Sequence, residues 1–208
     1  MGGSMDDFDA EAATWESNPG HSERTWAIAR AIRSLVPLSR TMRALEVGCG
    51  TGLLSFALHD DLGTVVATDP SQGMIDVLGA KIEAAKAENI QALRVDLGTE
   101  PIGGSFHLVF LQMALHHIPD VEGFLLSAWE SLEEGGWLCI ADLDSEDGSF
   151  HGLETGGIHR GFDRPDLVRD VQGAGFHVVD IDTVFEIHRE SDGRERRYPI
   201  FLLVARKA

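Results

Sequence analysis

A short apolar run, Ala44-Leu-Glu-Val47, breaks into three glycines within five residues, Gly48-Cys49-Gly50-Thr51-Gly52, and helical spacing resumes at Leu53. A strand that turns through glycines straight into a helix restricts the fold more than any other feature of this chain. Glycine lets backbone approach a ligand closely and adopt left-handed conformations, and the following helix aims its first amides at that ligand. Units of this kind belong to open α/β sheets, which bind ligands at the carboxyl ends of their strands.

The rest of the chain repeats the alternation. Apolar, β-branched runs at 65–69, 92–96, 107–111 and 137–143 end in turn or acidic residues and read as strands. Helical spacing runs over 53–59, over 74–86 after Pro70-Ser71, and over 121–132, with Gly135-Gly136 as the expected stop. An amphipathic helix over about 22–35, with Trp26, Ile28, Ala29 and Ile32 inward, is expected before the first strand. After a further helix at about 165–174 come two long strand patterns, 177–188 and 199–206, joined by Ser191-Asp192-Gly193-Arg194, a hairpin signal. The reading is a parallel sheet covered by helices on both faces and finished by an antiparallel hairpin. At 208 residues without repeats or a linker, one domain is expected, with residues 1–36 as a helical cap and 142–163 as a long loop after the fifth strand.

Seventeen basic against thirty-four acidic residues give a net charge of −17. That field repels polyanions, so nucleic-acid substrates are disfavoured. The densest basic cluster, Arg189, Arg194, Arg196 and Arg197, is interleaved with Glu190, Asp192 and Glu195 and reads as a solvated hairpin. No apolar run approaches the roughly 20 residues that span a bilayer, and no basic-then-apolar leader is visible, so a soluble cytoplasmic protein without membrane partners is expected. Cys49 and Cys139 stand inside apolar segments, as reduced thiols do.

Three successive strand patterns end in acids: Glu46, Asp69 and Asp96. Asp69, 17 residues after Gly52, stands where a carboxylate accepts hydrogen bonds from both ribose hydroxyls of a nucleoside ligand. Asp96 can receive an adenine amino group while Leu97 packs on the ring. Helix capping is the plainer alternative for Asp69 and Asp96. The dinucleotide fingerprint is G-x-G-x-x-G, whereas here the third glycine comes one residue early and Glu46 lies two positions before the first. A carboxylate there suits a cationic ligand better than a pyrophosphate.

With E-x-G-x-G-x-G at Glu46–Gly52, Thr68-Asp69-Pro70-Ser71 after the second strand and Asp96 after the third, the chain resembles the class I methyltransferases that use S-adenosylmethionine (SAM). The likeness continues through 106–117 and 132–138 and spans about residues 8–206. In Phe8–Pro19 and Asp142–Asp163 the chain is similar to a group of small bacterial members taken to act on small molecules. The resemblance implies a Rossmann-like three-layer sandwich whose seven-stranded, mostly parallel sheet ends in an antiparallel hairpin. It implies a cofactor site in which Gly48, Gly50 and Gly52, with Cys49 in the same loop, surround the methionine portion. Asp69, followed by Pro70, holds the ribose, Met74 packs near adenine, Asp96 and Leu97 bind adenine, and Gln112 lies near the amino-acid end. Met74 as plain core is an equal alternative. In this topology the fourth strand separates the first and fifth, which leaves the two cysteines about 10 Å apart, too far for a disulfide.

The implied reaction is transfer of a methyl group to an O or N atom of a small molecule, with C and S as further options, leaving S-adenosylhomocysteine (SAH). In-line displacement requires the nucleophile about 3 Å from the methyl carbon and water kept out. A hydroxyl or ammonium acceptor must also lose a proton, which favours histidine. His117, in the loop after the fourth strand, is the first candidate for that base, with His159 beside it. His116 is expected to point away or cap the next helix, and His151 lies in the Gly-, His- and acid-rich loop after the fifth strand. Shaping the pocket is the alternative for the His116-His117 pair. Trp15 is either a lid over the pocket or an aromatic anchor. The donors Asp142, Asp144, Glu146, Asp147, His151 and His159 lack a diagnostic metal spacing, so no metal is expected. Two other readings stand beside this one, an NAD-type oxidoreductase and a SAM-binding regulator without catalysis.

Overall fold

A computed structural model describes residues 5–95, 100, 103–151, 159–191 and 194–207. In chain order its helices and strands are α1 (Met5–Glu11), α2 (Pro19–Leu35), β1 (Arg43–Val47), α3 (Leu53–Leu58), β2 (Thr64–Asp69), α4 (Gln72–Ala85) and β3 (Ile90–Arg94). There follow β4 (Phe106–Gln112), α5 (Val121–Ser131), β5 (Leu132–Leu143), α6 (Arg164–Gly173), β6 (Phe176–Ser191) and β7 (Arg194–Lys207). The strands form one seven-stranded sheet in the order β3-β2-β1-β4-β5-β7-β6. β1 to β5 run parallel, and β7 pairs antiparallel with both β5 and β6. The expected α/β sandwich with its terminal hairpin is the observed fold.

Both sheet faces are apolar because successive residues of a strand point to opposite sides. On β4, Leu108 and Phe110 join one buried layer with Ile28 and Ile32 of α2, Leu54 and Leu58 of α3, and Leu78 of α4. Val109 and Leu111 face the other way, into Phe124, Leu125 and Ala128 of α5 and Leu167 and Val171 of α6. Strand order reverses between β1 and β4, and that switch point opens a crevice at the carboxyl ends of the strands.

Local signals set the helix starts. Asn18 accepts from Gly20 N at 3.0 Å ahead of α2, Asp120 from Gly123 N at 2.9 Å ahead of α5, and Asp163 from Asp166 N at 3.1 Å ahead of α6. The cap of α4 is Ser71, whose Oγ accepts from Met74 N at 3.1 Å, so Asp69 is free of that duty.

Three expectations are corrected. Trp26 is 61% exposed, because the buried stripe of α2 is Arg24, Thr25, Ile28, Ala29 and Ile32, and position 26 falls 200° from Ile28 at 100° per residue. The helix expected over 121–132 is observed as Val121–Ser131, but Gly135-Gly136 is not what stops it. Leu132 is already extended, and the glycines sit in a bulge where β5 slips register against β4 between Phe106 and Leu108. The basic hairpin cluster is not simply solvated: exposed Arg189 lays its guanidinium 3.9 Å from the Phe150 ring centroid, and Arg196 donates to Asp147 at 2.7 Å. Of the four expected hairpin residues, Ser191 pairs with Arg194, and Asp192 and Gly193 lie outside the described residues.

Candidate functional site

The glycine loop leaves the carboxyl end of β1 at the switch point. Gly48 and Gly52 have φ of +65° and +79°, which L-residues with a side chain rarely adopt. A Cβ at Gly48 would stand 2.6 Å from Ala114 Cβ, and one at Gly52 would overlap Leu78 Cδ1. Gly50 is also left-handed, φ +53°, but a Cβ there would make only ordinary contacts, with Met74 Sδ at 3.9 Å and Trp15 Nε1 at 4.0 Å. Cys49 is buried, bonded through its N to Thr68 O at 2.9 Å, and its thiol pKa is pushed up by burial. Its side chain is therefore core, and only its backbone belongs to the loop.

The acids at the strand ends differ in state. Glu46 is 2% exposed and accepts from Ser55 Oγ of α3; burial pushes its pKa up to about 8. Asp69 accepts from Gly50 N at 2.8 Å and from Ser71 N at 2.9 Å, so it ties the loops after β1 and β2 together. Burial raises its pKa, against those two backbone bonds. Pro70 lends its carbonyl to Arg94 Nε at 3.0 Å, and Met74 is buried beside the loop. Asp96 and Leu97 lie outside the described residues.

The N-terminal segment straps over this region. Asp9 accepts from Ser71 Oγ at 2.5 Å and from Gly73 N at 2.9 Å. Glu16 accepts from Thr51 Oγ1 at 2.6 Å and from Lys81 Nζ, and Lys81 also donates to Thr51 O at 2.9 Å. Between these ties, Trp15 lies against the glycine loop, its ring 4.5 Å from that of His21 and 6.0 Å from that of Phe8.

At the end of β4, Gln112 Nε2 donates to Thr25 Oγ1 at 3.0 Å, while Gln112 Oε1 is buried with no hydrogen-bond partner among the described residues. Arg24, next to Thr25 in the chain, is 6% exposed, and its Nε likewise has no partner among them. Burial lowers its pKa to about 10 despite the pull of Asp142. A buried guanidinium with an unmet Nε donor, together with a buried carbonyl oxygen with no donor, is a poor way to build a core. It is a good receptor for a zwitterion, carboxylate to Arg24 and ammonium to Gln112.

Past Gln112 the chain enters the left-handed region at Met113, φ +55°, and makes the 3-10 turn Leu115–His117. His116 does not cap a helix. It is 1% exposed and its Nδ1 lies 2.6 Å from Asp142 Oδ1, near the end of the neighbouring β5. Asp142 also accepts from His116 N at 3.2 Å and Leu143 N at 2.7 Å, and despite full burial its pKa stays below the usual range because His116 opposes the burial effect. On its other side, His116 Nε2 lies 3.0 Å from His151 Nε2, and the His117 ring lies 4.2 Å from that of His116 and 5.4 Å from that of Phe8. Burial, then the neighbouring histidines, lower His117 to about 3; burial leads again for His151, to about 4. His159 stands apart from this trio. Its N donates to His116 O at 2.8 Å and its Nε2 meets Ile118 O at 3.0 Å, which pins its loop to the turn.

Comparison with known proteins identifies a methyltransferase domain in the chain. Residues 44–136 match the family model described as a methyltransferase domain. The chain is 30% identical over 146 residues to trans-aconitate 2-methyltransferase of Deinococcus radiodurans, covering 68% of this chain and 54% of that protein. It is 28% identical over 159 residues to a ubiquinone biosynthesis O-methyltransferase of Rhizobium johnstonii, covering 68% and 63%. Residues 44–136 form a methyltransferase domain, and the chain is similar to the class I SAM-dependent methyltransferases. In fold it is similar to the methyltransferase solved in complex with the Trm112 methyltransferase activator of Haloferax volcanii, with TM-score 0.78, 19% identity, and coverage of 96% and 97%. The chain spans about half to just under two thirds of the length of the curated relatives named here.

Within that family frame the structure gathers Gly48, Gly50, Gly52, Asp69, Met74, Gln112 and Trp15 around one crevice, and His116, His117 and His151 into a second cluster at the ends of β4 and β5. Sequence reasoning missed Arg24, Asp9, Glu16 and Lys81. For Arg24 a signal existed: with Thr25 it stands in the same stripe as Ile28, Ala29 and Ile32, and an arginine on a buried stripe needs an anion. Asp9 and Glu16 carry no local pattern, because their partners lie 62 and 35 residues away.

Proposed function

We propose that this chain binds SAM in the crevice above the glycine loop and methylates an oxygen or nitrogen atom of a small molecule. The observation that carries the reading is the pair of unmet buried atoms, Arg24 Nε on α2 and Gln112 Oε1 at the end of β4, with the left-handed glycine loop at the end of the neighbouring β1. In this reading Arg24 takes the methionine carboxylate, Gln112 Oε1 the ammonium, Asp69 the ribose hydroxyls, and Met74, with Asp96 and Leu97, the adenine. Glu46 supports the loop from beneath through Ser55. SAM bound there supplies an electrophilic methyl carbon on a sulfonium.

The strap through Asp9, Trp15 and Glu16 keeps water from that carbon, and Phe8 carries the cover across to His117. His117 is neutral at working pH and orients the acceptor more readily than it stores a proton; His159 holds the turn that carries it. A small acceptor accords with the names of the curated relatives, and the charge of −17 argues against nucleic acid.

The test is SAH formation from SAM with small carboxylic acids, phenols and amines offered as acceptors. Acceptor-dependent SAH with a methylated product of matching mass is expected. Tight SAM binding without any methylated product would move the chain to the non-catalytic binders. His117→Ala should lower turnover while SAM affinity holds; equal losses in both would remove His117 from the acceptor side.

A further inference from the structure

We propose that His116, His117 and His151 form a binding site for a divalent transition-metal ion of the zinc or cobalt type, at the ends of β4 and β5. The three imidazoles come from two segments, the turn Leu115–His117 and the loop after β5, and one ring nitrogen of each lies within 4.8 Å of the other two. The Nε2 atoms of His116 and His151 are 3.0 Å apart. Ligand nitrogens of a tetrahedral ion with bonds of about 2.0–2.1 Å are roughly 3.3 Å apart, so an ion needs this edge to open by only a fraction of an ångström and the third ring to rotate inward.

The surroundings are those of a ligand set. Asp142 grips Nδ1 of His116 at 2.6 Å and is itself held by two backbone amides, which fixes that ring and turns its Nε2 toward the other two histidines. A carboxylate behind a ligating histidine is the recurring outer support of metal-bound imidazole. His151 is positioned independently by the terminal hairpin, where Arg189 donates to Phe150 O at 2.8 Å and Tyr198 Oη pairs with Ser149 Oγ at 2.8 Å. Three nitrogen ligands leave a fourth coordination position, which catalytic sites give to water or substrate. Here it would hold an oxygen or nitrogen donor of the methyl acceptor. That use rests on the functional reading above; the ion site rests on the histidines alone. Without an ion the same rings form a hydrogen-bonded relay, Asp142 to His116 to His151, and that is the competing account of the cluster.

Chelator-dialysed full-length protein titrated with Co²⁺ and followed by visible absorption tests this directly, with SAH affinity measured on the same samples. About one equivalent of Co²⁺ with the intense spectrum of a low-coordinate nitrogen site, displaced by Zn²⁺, is expected. His151→Asn and His117→Asn should each abolish the spectrum, and Asp142→Asn should weaken binding about 10–100-fold. His188→Asn, at an exposed histidine paired with Glu186 and Glu195, should change nothing. Absence of the spectrum in the wild type, or a spectrum that survives both histidine substitutions, overturns the site and leaves the relay. Unchanged SAH binding across these samples would show that such a failure does not touch the cofactor reading.

Discussion

Arg24 shows how a single residue can report a ligand. Its Nε is buried without a hydrogen-bond partner among the described residues, a state that costs folding free energy unless an acceptor arrives. Arg24→Met should therefore raise the melting temperature of the cofactor-free protein and weaken SAH binding by about tenfold or more, the equivalent of one charge-assisted hydrogen bond. A lower melting temperature with unchanged affinity would make it structural. Gly48 tests the loop itself: Gly48→Ala combines a left-handed backbone with a 2.6 Å approach to Ala114, and should cost about 2–4 kcal/mol by urea denaturation. Glu46 predicts a pH dependence. Its pKa is about 8 folded and near the ordinary carboxylate value unfolded. Between those values the folded state keeps a proton that the unfolded state has lost, so its contribution makes stability fall as pH rises through this window and level off above it. Glu46→Gln should flatten that part of the urea-midpoint profile from pH 5 to 8; an unchanged slope would mean that Glu46 ionises freely.

At the scale of elements, strands and helices are largely legible in the sequence because both sheet faces are buried and α2, α4, α5 and α6 each start with a side-chain cap. The misread places have physical causes. Hydrophobicity alone points Trp26 inward, whereas the stripe is set by angle and includes the polar Arg24 and Thr25. Gly135 and Gly136 look like a helix stop but serve a bulge, which becomes visible only once β5 is paired with β4. The strap was half legible: Trp15 marked it, and the two acids that fasten it did not. Asp9→Ala with Glu16→Ala should leave the melting temperature close to wild type and speed SAH dissociation, measured by stopped-flow fluorescence. Dissociation at the wild-type rate would reduce Trp15 to an anchor.

Across the whole molecule, the strand order places two loops from distant parts of the sequence on one crevice, with the glycine loop on one side and the turn at 115–117 on the other. Local pattern could name the members of each loop but not their meeting. His116 was expected to point away and is the centre of the histidine cluster, because its partner Asp142 lies 26 residues on and becomes its neighbour only through the parallel pairing of β4 with β5. No described helix is long and apolar enough to cross a membrane, and the net charge of −17 gives the surface a field that favours a cationic cofactor over polyanions. Fold alone does not decide the ligand, since glycine loops on such sheets serve several nucleotides. Calorimetric titration of the wild-type chain with SAH and, separately, with NAD decides it. The account predicts saturable one-to-one binding of SAH and no heat beyond dilution from NAD; saturable binding of NAD with none of SAH would contradict it.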